Sequence, residues 1–271
     1  MDILRETIRM LLESTSEEQV SNETPLSRRI DLRSSASTLA DPAVDFMKRA
    51  FEKYGFDKKI SFNIEYDTID YIAEAEVGLN TYEESLEMPS GEYFDMIPDV
   101  DFVIQGNYDP KSSVLDVDAG YIHAGDDNLE DAGLIETAIQ IPAPKIKAET
   151  FLGGAKRHLR ATLVHEMQHS IQRLIYGMPL DAITNADLDT HMSDPNEIDA
   201  RVEEIIAYMD DNIPEETFEN FMVKLEGYIS MYLERNAPDA TMEEHAVYTN
   251  RMLDSHLQHY AEKLGIEIPT L

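Results

Sequence analysis

Two segments of the chain alternate strictly between apolar and polar residues. The pattern spans residues 60–66, written ISFNIEY, and residues 135–141, written IETAIQI, where a proline ends it. Because successive side chains of a β-strand point to opposite faces, each segment predicts a strand with one buried face. Weaker alternation predicts further strands at 71–79, 101–106 and 114–122.

A different periodicity runs through residues 155–176, which contain no proline or glycine and repeat apolar residues at helical spacing. The apolar positions that share one broad face are Leu159, Leu163, Val164, Met167, Ile171, Leu174 and Ile175. The opposite face carries His158, Thr162, His165, His169, Gln172 and Tyr176. A helix that packs on one face and carries histidines on the other is typical of the wall of a cleft.

The order of these elements, strands first and helices afterwards, predicts an α+β fold with a small mixed sheet. We expect one domain over residues 41–271, with an α+β lobe at 41–176 and a helical C-terminal lobe at 177–271. Asp41 is expected to cap the first helix of this domain, and Pro42 to open it. Helices of the C-terminal lobe are predicted at 195–210, 215–235 and 240–264.

The segment before the domain divides into two parts. Residues 1–13 have the pattern of a short amphipathic helix, with Leu4, Ile8 and Leu11 on one face. Residues 14–40 are rich in Ser, Thr, Glu, Asn and Arg with scattered apolar residues, which predicts a flexible tether. Charged residues from position 2 onward interrupt the apolar run that a secretory signal peptide needs, so we expect no secretion by this route.

The composition changes this picture through its charge. Against 22 Lys+Arg stand 54 Asp+Glu, which gives a net charge of −32. A surface this acidic repels nucleic-acid phosphates and anionic membranes, so neither is expected as a partner. No segment reaches the roughly 18 apolar residues that a membrane span needs. There is no cysteine, which leaves histidines and carboxylates as the strong metal ligands available.

The predicted helix at 155–176 contains the pentapeptide His-Glu-Met-Gln-His, which is an HExxH pattern. His165 and His169 are four residues apart, so they lie on one face of the helix, where two imidazoles can bind one metal ion. Glu166 lies about 100° around the helix, beside such an ion, where it can accept a proton from water. This arrangement predicts a zinc hydrolase site with His165 and His169 as ligands and Glu166 as general base.

A catalytic zinc normally takes a third protein ligand and leaves its fourth position to water. Asp194 and Pro195 have the sequence of a helix start, which places Glu197 in the first turn of the next helix. Glu197 is therefore the predicted third ligand. His191, Asp194 and Asp199 are the alternatives, and His191 is the first substitute because a loop residue can adapt its position.

With these residues the chain resembles the gluzincins, zinc metallopeptidases whose third ligand is a glutamate on a helix after HExxH. Residues 197–200, Glu-Ile-Asp-Ala, are similar to the Glu-x-(Glu/Asp)-Ala pattern of several such families, although Arg201 stands where several have an aspartate. The resemblance covers roughly residues 130–210. It implies a zincin-like fold with an active-site helix, a Zn²⁺ cofactor, and a peptide or protein substrate that pairs with the strand at 135–141.

The resemblance leaves the group that stabilises the oxyanion open. The candidates are Tyr176, His245, Tyr248, His256 and His259.

A second resemblance concerns residues 1–13, which are similar to the N-termini of many proteins from large tailed bacteriophages. In such phages these helices can target a protein into the prohead, and the prohead protease cuts after hydrophobic-x-Glu, a rule that Leu11-Leu12-Glu13 fits. This implies capsid or prohead components as partners, and a location in the host cytoplasm or the virion interior. A helix that docks on its own domain, or a pro-segment, is the alternative.

Three classes of function remain from the sequence. The leading one is a zinc-dependent metallopeptidase. The second is a non-catalytic structural or internal protein of the virion with a zincin fold, and the third is an acidic inhibitor that mimics DNA. Glu166 favours the first over the second, because a metal site without catalysis has no need of a general base.

Overall fold

The computed structural model describes residues 31–112, 116–122, 133–141, 148–175 and 195–208, with isolated positions at 227, 230, 241, 246 and 247. The chain divides into two compact units. One comprises Ile30–Leu180 with Ile206–Tyr208 and contains the β-sheet. Of the other, the structure describes mainly residues 195–205, which are helical.

The described helices are α1 (Leu32–Tyr54), α2 (Glu92–Met96), α3 (Ala148–Leu174) and α4 (Pro195–Tyr208). The described strands are β1 (Ile60–Tyr66), β2 (Tyr71–Val77), β3 (Asn80–Ser85), β4 (Asp101–Tyr108), β5 (Asp116–Ile122) and β6 (Leu134–Ile141). Within the described residues these strands form a six-stranded sheet in the order β3-β2-β1-β4-β6-β5. β4 and β6 run parallel, and all other neighbouring strands run antiparallel. The predicted α+β class with a mixed sheet is confirmed.

One face of the sheet is buried beneath helices, as the alternation in β1 predicts. Every second residue of β1, from Ile60 to Tyr66, is buried. Helix α1 covers this part of the sheet with Phe46 and Phe51, whose rings make edge contacts with Phe62 of β1. The hydrophobic core therefore lies between α1 and the inner face of the sheet.

The start of α1 corrects a prediction. The helix begins at Leu32, where the side chain of Asp31 accepts a hydrogen bond of 2.9 Å from the backbone N–H of Ser34. The prediction that Pro42 opens this helix is wrong, since Pro42 lies inside it, and residues 32–40 are helix rather than tether. A proline inside a helix costs about 3 kcal/mol. Burial of the first turns offsets that cost, because Leu32, Ala36, Leu39, Ala40 and Ala43 are all buried.

The segment predicted as one strand at 71–79 ends at Val77 and turns back into a hairpin. Gly78 adopts a positive φ of 64° between β2 and β3, a conformation that side chains with a Cβ rarely take. Strand β3 then pairs antiparallel with β2 and forms one margin of the sheet. The hairpin places this margin at the opposite end of the sheet from β5 and β6.

The position of β6 corrects a second prediction. The strand predicted at 135–141 exists, but it is an inner strand, paired with β4 on one side and with β5 on the other. An inner strand uses its backbone groups on both sides, so it cannot pair with a substrate. The margin of the described sheet at this end is β5, which the weaker pattern at 114–122 predicted.

Helix α3 confirms the predicted motif helix and extends it at the N-terminal end to Ala148. It packs against α1 and beneath β5 and β6. Leu159, Leu163, Val164, Met167 and Ile171 of the predicted apolar face are buried, whereas Leu174 is partly buried and Ile175 is exposed.

Polar contacts join α3 to its neighbours in the same unit. Lys156 makes an ion pair of 2.7 Å with Asp41 of α1. The hydroxyl of Tyr93, in α2, lies 2.7 Å from that of Ser170 in the interior. The helix is therefore fixed near both of its ends.

Helix α4 confirms the helix predicted at 195–210. The predicted helices at 215–235 and 240–264 lie outside the described residues apart from isolated positions, and residues 1–13 and most of the tether lie outside them entirely. The lobe boundaries and the targeting role of residues 1–13 stay predictions. Among the described helices, none is long and apolar enough to cross a membrane.

Candidate metal centre

Helix α3 brings the two histidines of the HExxH pattern together as their spacing predicts. The Nε2 atoms of His165 and His169 lie 3.0 Å apart. Their rings have centroids 4.7 Å apart and planes inclined at 77°. Residues four apart on a helix are neighbours on its surface, so the helix itself fixes this pair before any other element contributes. Both Nε2 atoms thus face one point.

The pair lies where the interior meets the surface, because His165 is half-buried and its polar neighbours on α3 are buried. His169 and Glu166 are each 7% exposed, and Gln172 is 2% exposed. A solvent-exposed helix with histidines four apart by chance would leave these polar side chains open to water. Burial of polar groups costs free energy unless they are hydrogen-bonded or bind a ligand. The burial of so many polar residues on one helix therefore indicates a built polar site.

A hydrogen bond orients the second histidine. The Nδ1 atom of His169 lies 2.9 Å from Oε1 of Gln172, one turn further along α3. This contact leaves Nε2 of His169 directed towards His165. The sequence pattern placed Gln172 on the polar face of the helix but assigned it no role. The signal that was available is its spacing of three residues from His169, which puts the two side chains next to each other.

Glu197 joins the two histidines. One ligand atom from each of His165, His169 and Glu197 lies within 4.8 Å of the other two. Glu197 stands in the first turn of α4, as predicted. Of the alternatives, Asp199 is described but is not part of this group, whereas His191 and Asp194 lie outside the described residues.

Arg201 lies one turn after Glu197 on α4 and is fully buried. Its Nη2 atom is 3.8 Å from Oε2 of Glu197, which is ion-pair distance. At this distance the two groups attract each other through their charges without a hydrogen bond, and the guanidinium partly balances the charge of the carboxylate. Several gluzincins have an aspartate at this position, and here a positive group takes its place.

The three side chains fit a divalent metal ion. Zinc in tetrahedral coordination binds nitrogen and oxygen ligands at about 2.0–2.2 Å, which separates neighbouring ligand atoms by about 3.3–3.5 Å. The two Nε2 atoms, 3.0 Å apart, come close to that separation. A set of two imidazoles and one carboxylate is typical of catalytic zinc, and it leaves one position for water. The His/His/Glu group can therefore hold a metal ion.

Of the other residues predicted to take part in the chemistry, the structure describes Glu166 but none of the candidates for oxyanion stabilisation. Glu166 is described and buried on the same helix as the histidines. The candidates for oxyanion stabilisation, Tyr176, His245, Tyr248, His256 and His259, lie outside the described residues.

Comparison with known proteins does not extend these observations. Family models, curated proteins and solved structures contain no match to this chain. The resemblance to gluzincins therefore stays a prediction from the sequence of residues 165–169 and 197–200.

Proposed function

We propose that this protein is a zinc-dependent metallopeptidase of zincin-like fold, with His165, His169 and Glu197 as ligands and Glu166 as general base. The observation that supports the proposal is the grouping of these ligands from α3 and α4, with His169 buried and His165 and Glu197 half-buried, and with an intact glutamate directly after the first histidine. A purely structural metal site needs the ligands but has no use for Glu166.

The chemistry follows from the positions of the residues. A zinc ion held by His165, His169 and Glu197 would act as a Lewis acid that lowers the pKa of water and polarises a substrate carbonyl. Glu166 accepts the proton of the attacking water and delivers it to the amine that leaves when the peptide bond breaks. At 7% exposure the carboxylate of Glu166 is shielded from bulk solvent, which strengthens its interaction with charges in the site.

The substrate is proposed to be an extended peptide that adds to β5. This strand is the margin of the described sheet nearest to α3, and α3 packs against it. A strand at the margin of a sheet offers backbone N–H and C=O groups on its outer side, and these can pair with an extended chain. The resemblance to gluzincins implied this role for residues 135–141, and we propose β5 in place of that strand because β5 lies outside β6.

The experiment measures metal content and hydrolysis on the purified full-length protein. Wild type should contain one zinc ion per chain by elemental analysis, and His165→Ala should contain far less. Glu166→Gln should retain zinc but lose hydrolysis of an unfolded protein substrate by a factor on the order of 10²–10⁴, because the amide cannot accept the proton. Glu136→Gln, the same change on an exposed residue of β6, is the matched control and should keep full activity.

The outcomes separate the competing functions. Equal and negligible zinc in wild type and His165→Ala rejects the metal site. Full hydrolysis by Glu166→Gln rejects the mechanism. A wild-type protein that binds zinc but hydrolyses no peptide supports the non-catalytic virion protein, and one that displaces DNA from a DNA-binding protein supports the acidic mimic.

A further inference from the structure

Gln172 occupies an unusual position for a glutamine. It is 2% exposed, and its amide lies on the inner part of α3 beside the second histidine of the motif. Burying an amide costs free energy unless its hydrogen bonds with water are replaced. The contact between its Oε1 and Nδ1 of His169, at 2.9 Å, is one such replacement. The amide oxygen of Gln172 and Nδ1 of His169 are therefore hydrogen-bond partners.

We infer that Gln172 is a positioning residue that holds His169 in the tautomer that binds metal through Nε2; the inference rests on the proposed zinc site. A neutral imidazole has one proton, on either Nδ1 or Nε2. Oε1 of Gln172 is an acceptor, so it stabilises the form with the proton on Nδ1. That form leaves the lone pair of Nε2 directed towards Nε2 of His165, where the two atoms lie 3.0 Å apart.

The choice of an amide has a chemical consequence. Many histidine ligands donate their second N–H to a carboxylate, which raises the basicity of the imidazole. An amide oxygen carries no net charge and polarises the ring less. A zinc ion together with two neutral imidazoles and the Glu197 carboxylate would have a net charge of +1. With an uncharged amide as the partner of His169, that positive charge would be reduced no further. The same arrangement fixes the ring, so the ligand does not have to reorient when metal binds.

A purely structural role for Gln172 makes a different prediction, and Ser170 provides the matched control. Ser170 is also fully buried, lies on the same helix and makes side-chain hydrogen bonds, to Tyr93 and to the carbonyl of Met167. Neither of these hydrogen bonds involves a histidine. Ser170→Ala therefore removes buried hydrogen bonds from α3 without touching the imidazole of His169.

The experiment compares zinc affinity, by competition with a chromophoric chelator, among full-length wild type, Gln172→Leu, Gln172→Glu and Ser170→Ala. Gln172→Leu should lower the affinity about 10–100-fold, because it removes the acceptor. Gln172→Glu keeps an acceptor oxygen beside Nδ1 and should bind zinc at least as tightly as wild type does, because a carboxylate raises the basicity of the imidazole. Ser170→Ala should bind zinc with unchanged affinity while unfolding more easily.

A second measurement needs no variant. The imidazole ¹⁵N chemical shifts of metal-free wild type report the tautomer of His169 directly, and they should show the proton on Nδ1. A proton on Nε2, or Gln172→Leu binding zinc as tightly as wild type, overturns the inference while leaving the zinc site intact. An equal loss of affinity in Ser170→Ala also overturns it. If wild type itself binds no zinc, the proposed function fails, and the inference that rests on it fails too.

Discussion

The hydrogen bond between Tyr93 and Ser170 allows a quantitative prediction about how the metal-binding helix is held. The hydroxyl of Ser170 donates to the carbonyl of Met167 at 2.7 Å, which uses its single proton. The Tyr93 hydroxyl, 2.7 Å away, must therefore be the donor between the two side chains. Both residues are completely buried, so neither can exchange its partner for bulk water.

This direction makes the two single substitutions unequal. Tyr93→Phe removes one hydrogen bond but leaves Ser170 with an acceptor for its proton, so it should lower the free energy of unfolding by about 0.5–1.5 kcal/mol. Ser170→Ala leaves the phenol O–H buried without its acceptor, which costs about 1–3 kcal/mol. Alanine has a higher helix propensity than serine, which offsets no more than about 0.5 kcal/mol of this loss in the free energy of unfolding. We therefore expect Ser170→Ala to be the more destabilising change.

The double variant gives the decisive value. Once both hydroxyl groups are gone, no donor remains unsatisfied, so the double variant should be more stable than the sum of the two single losses predicts, by about 1 kcal/mol. Urea denaturation of zinc-free protein, followed by circular dichroism, measures all four free energies. If the two losses add within about 0.3–0.5 kcal/mol, the residues do not act as a pair, and the reasoning is refuted. Tyr93→Phe proving the more harmful single change would refute the assigned direction.

Two further predictions concern the site and the alkaline range. Glu197→Ala should weaken zinc binding sharply in equilibrium dialysis, whereas Asp199→Ala should not, because a residue two places along a helix points about 200° away; equal effects would contradict the ligand assignment. Burial raises the pKa of Tyr121 to about 12 and that of Tyr71 above its usual value as well. A raised folded pKa means that stability is complete below the unfolded pKa of about 10 and is lost as the pH rises through the folded pKa. Tyr121→Phe should reduce this loss of stability, measured as the free energy of unfolding in denaturation curves recorded above pH 10. If the free energy of unfolding falls with pH as steeply in the variant as in wild type, Tyr121 does not contribute to the loss.

Sequence patterns predicted the parts of the fold that depend on local geometry. The alternation in residues 60–66 and 135–141 identified β1 and β6, because a strand with one buried face has a period of two. The first turns of α1 were missed because their buried face includes Ser35, Ala36 and Ala40, which carry little hydrophobic signal, beside two leucines, Leu32 and Leu39. The Asp41-Pro42 pair gave a stronger local signal for a helix start. The packing of residues 32–40 in the core nevertheless extends the helix back to Leu32.

The same distinction applies to the site. The spacing of His165 and His169 fixes their distance within one helix, so the pair could be predicted from the five residues of the motif. Glu197 could be named only as one of several acidic or histidine candidates, because its approach depends on elements far apart along the chain. The inner position of β6 was also unpredictable, since it depends on where β5 pairs. Strand order arises from long-range contacts, which periodicity does not record.

The order of strands at this end of the sheet bears on how the molecule folds. β5 precedes β6 in the chain but lies outside it, so β5, β6 and α3 are consecutive elements of the chain that also lie side by side. β4 pairs with β6 across 33 residues of sequence (Asp101 with Leu134), whereas β1 pairs with β4 across 36 (Tyr66 with Phe102) to 48 residues (Ile60 with Tyr108). Contacts close in sequence form faster than distant ones. The helix with the metal ligands can therefore acquire β5, β6 and β4 before β1 pairs with β4, which makes the β1–β4 pairing the late step in assembling the sheet.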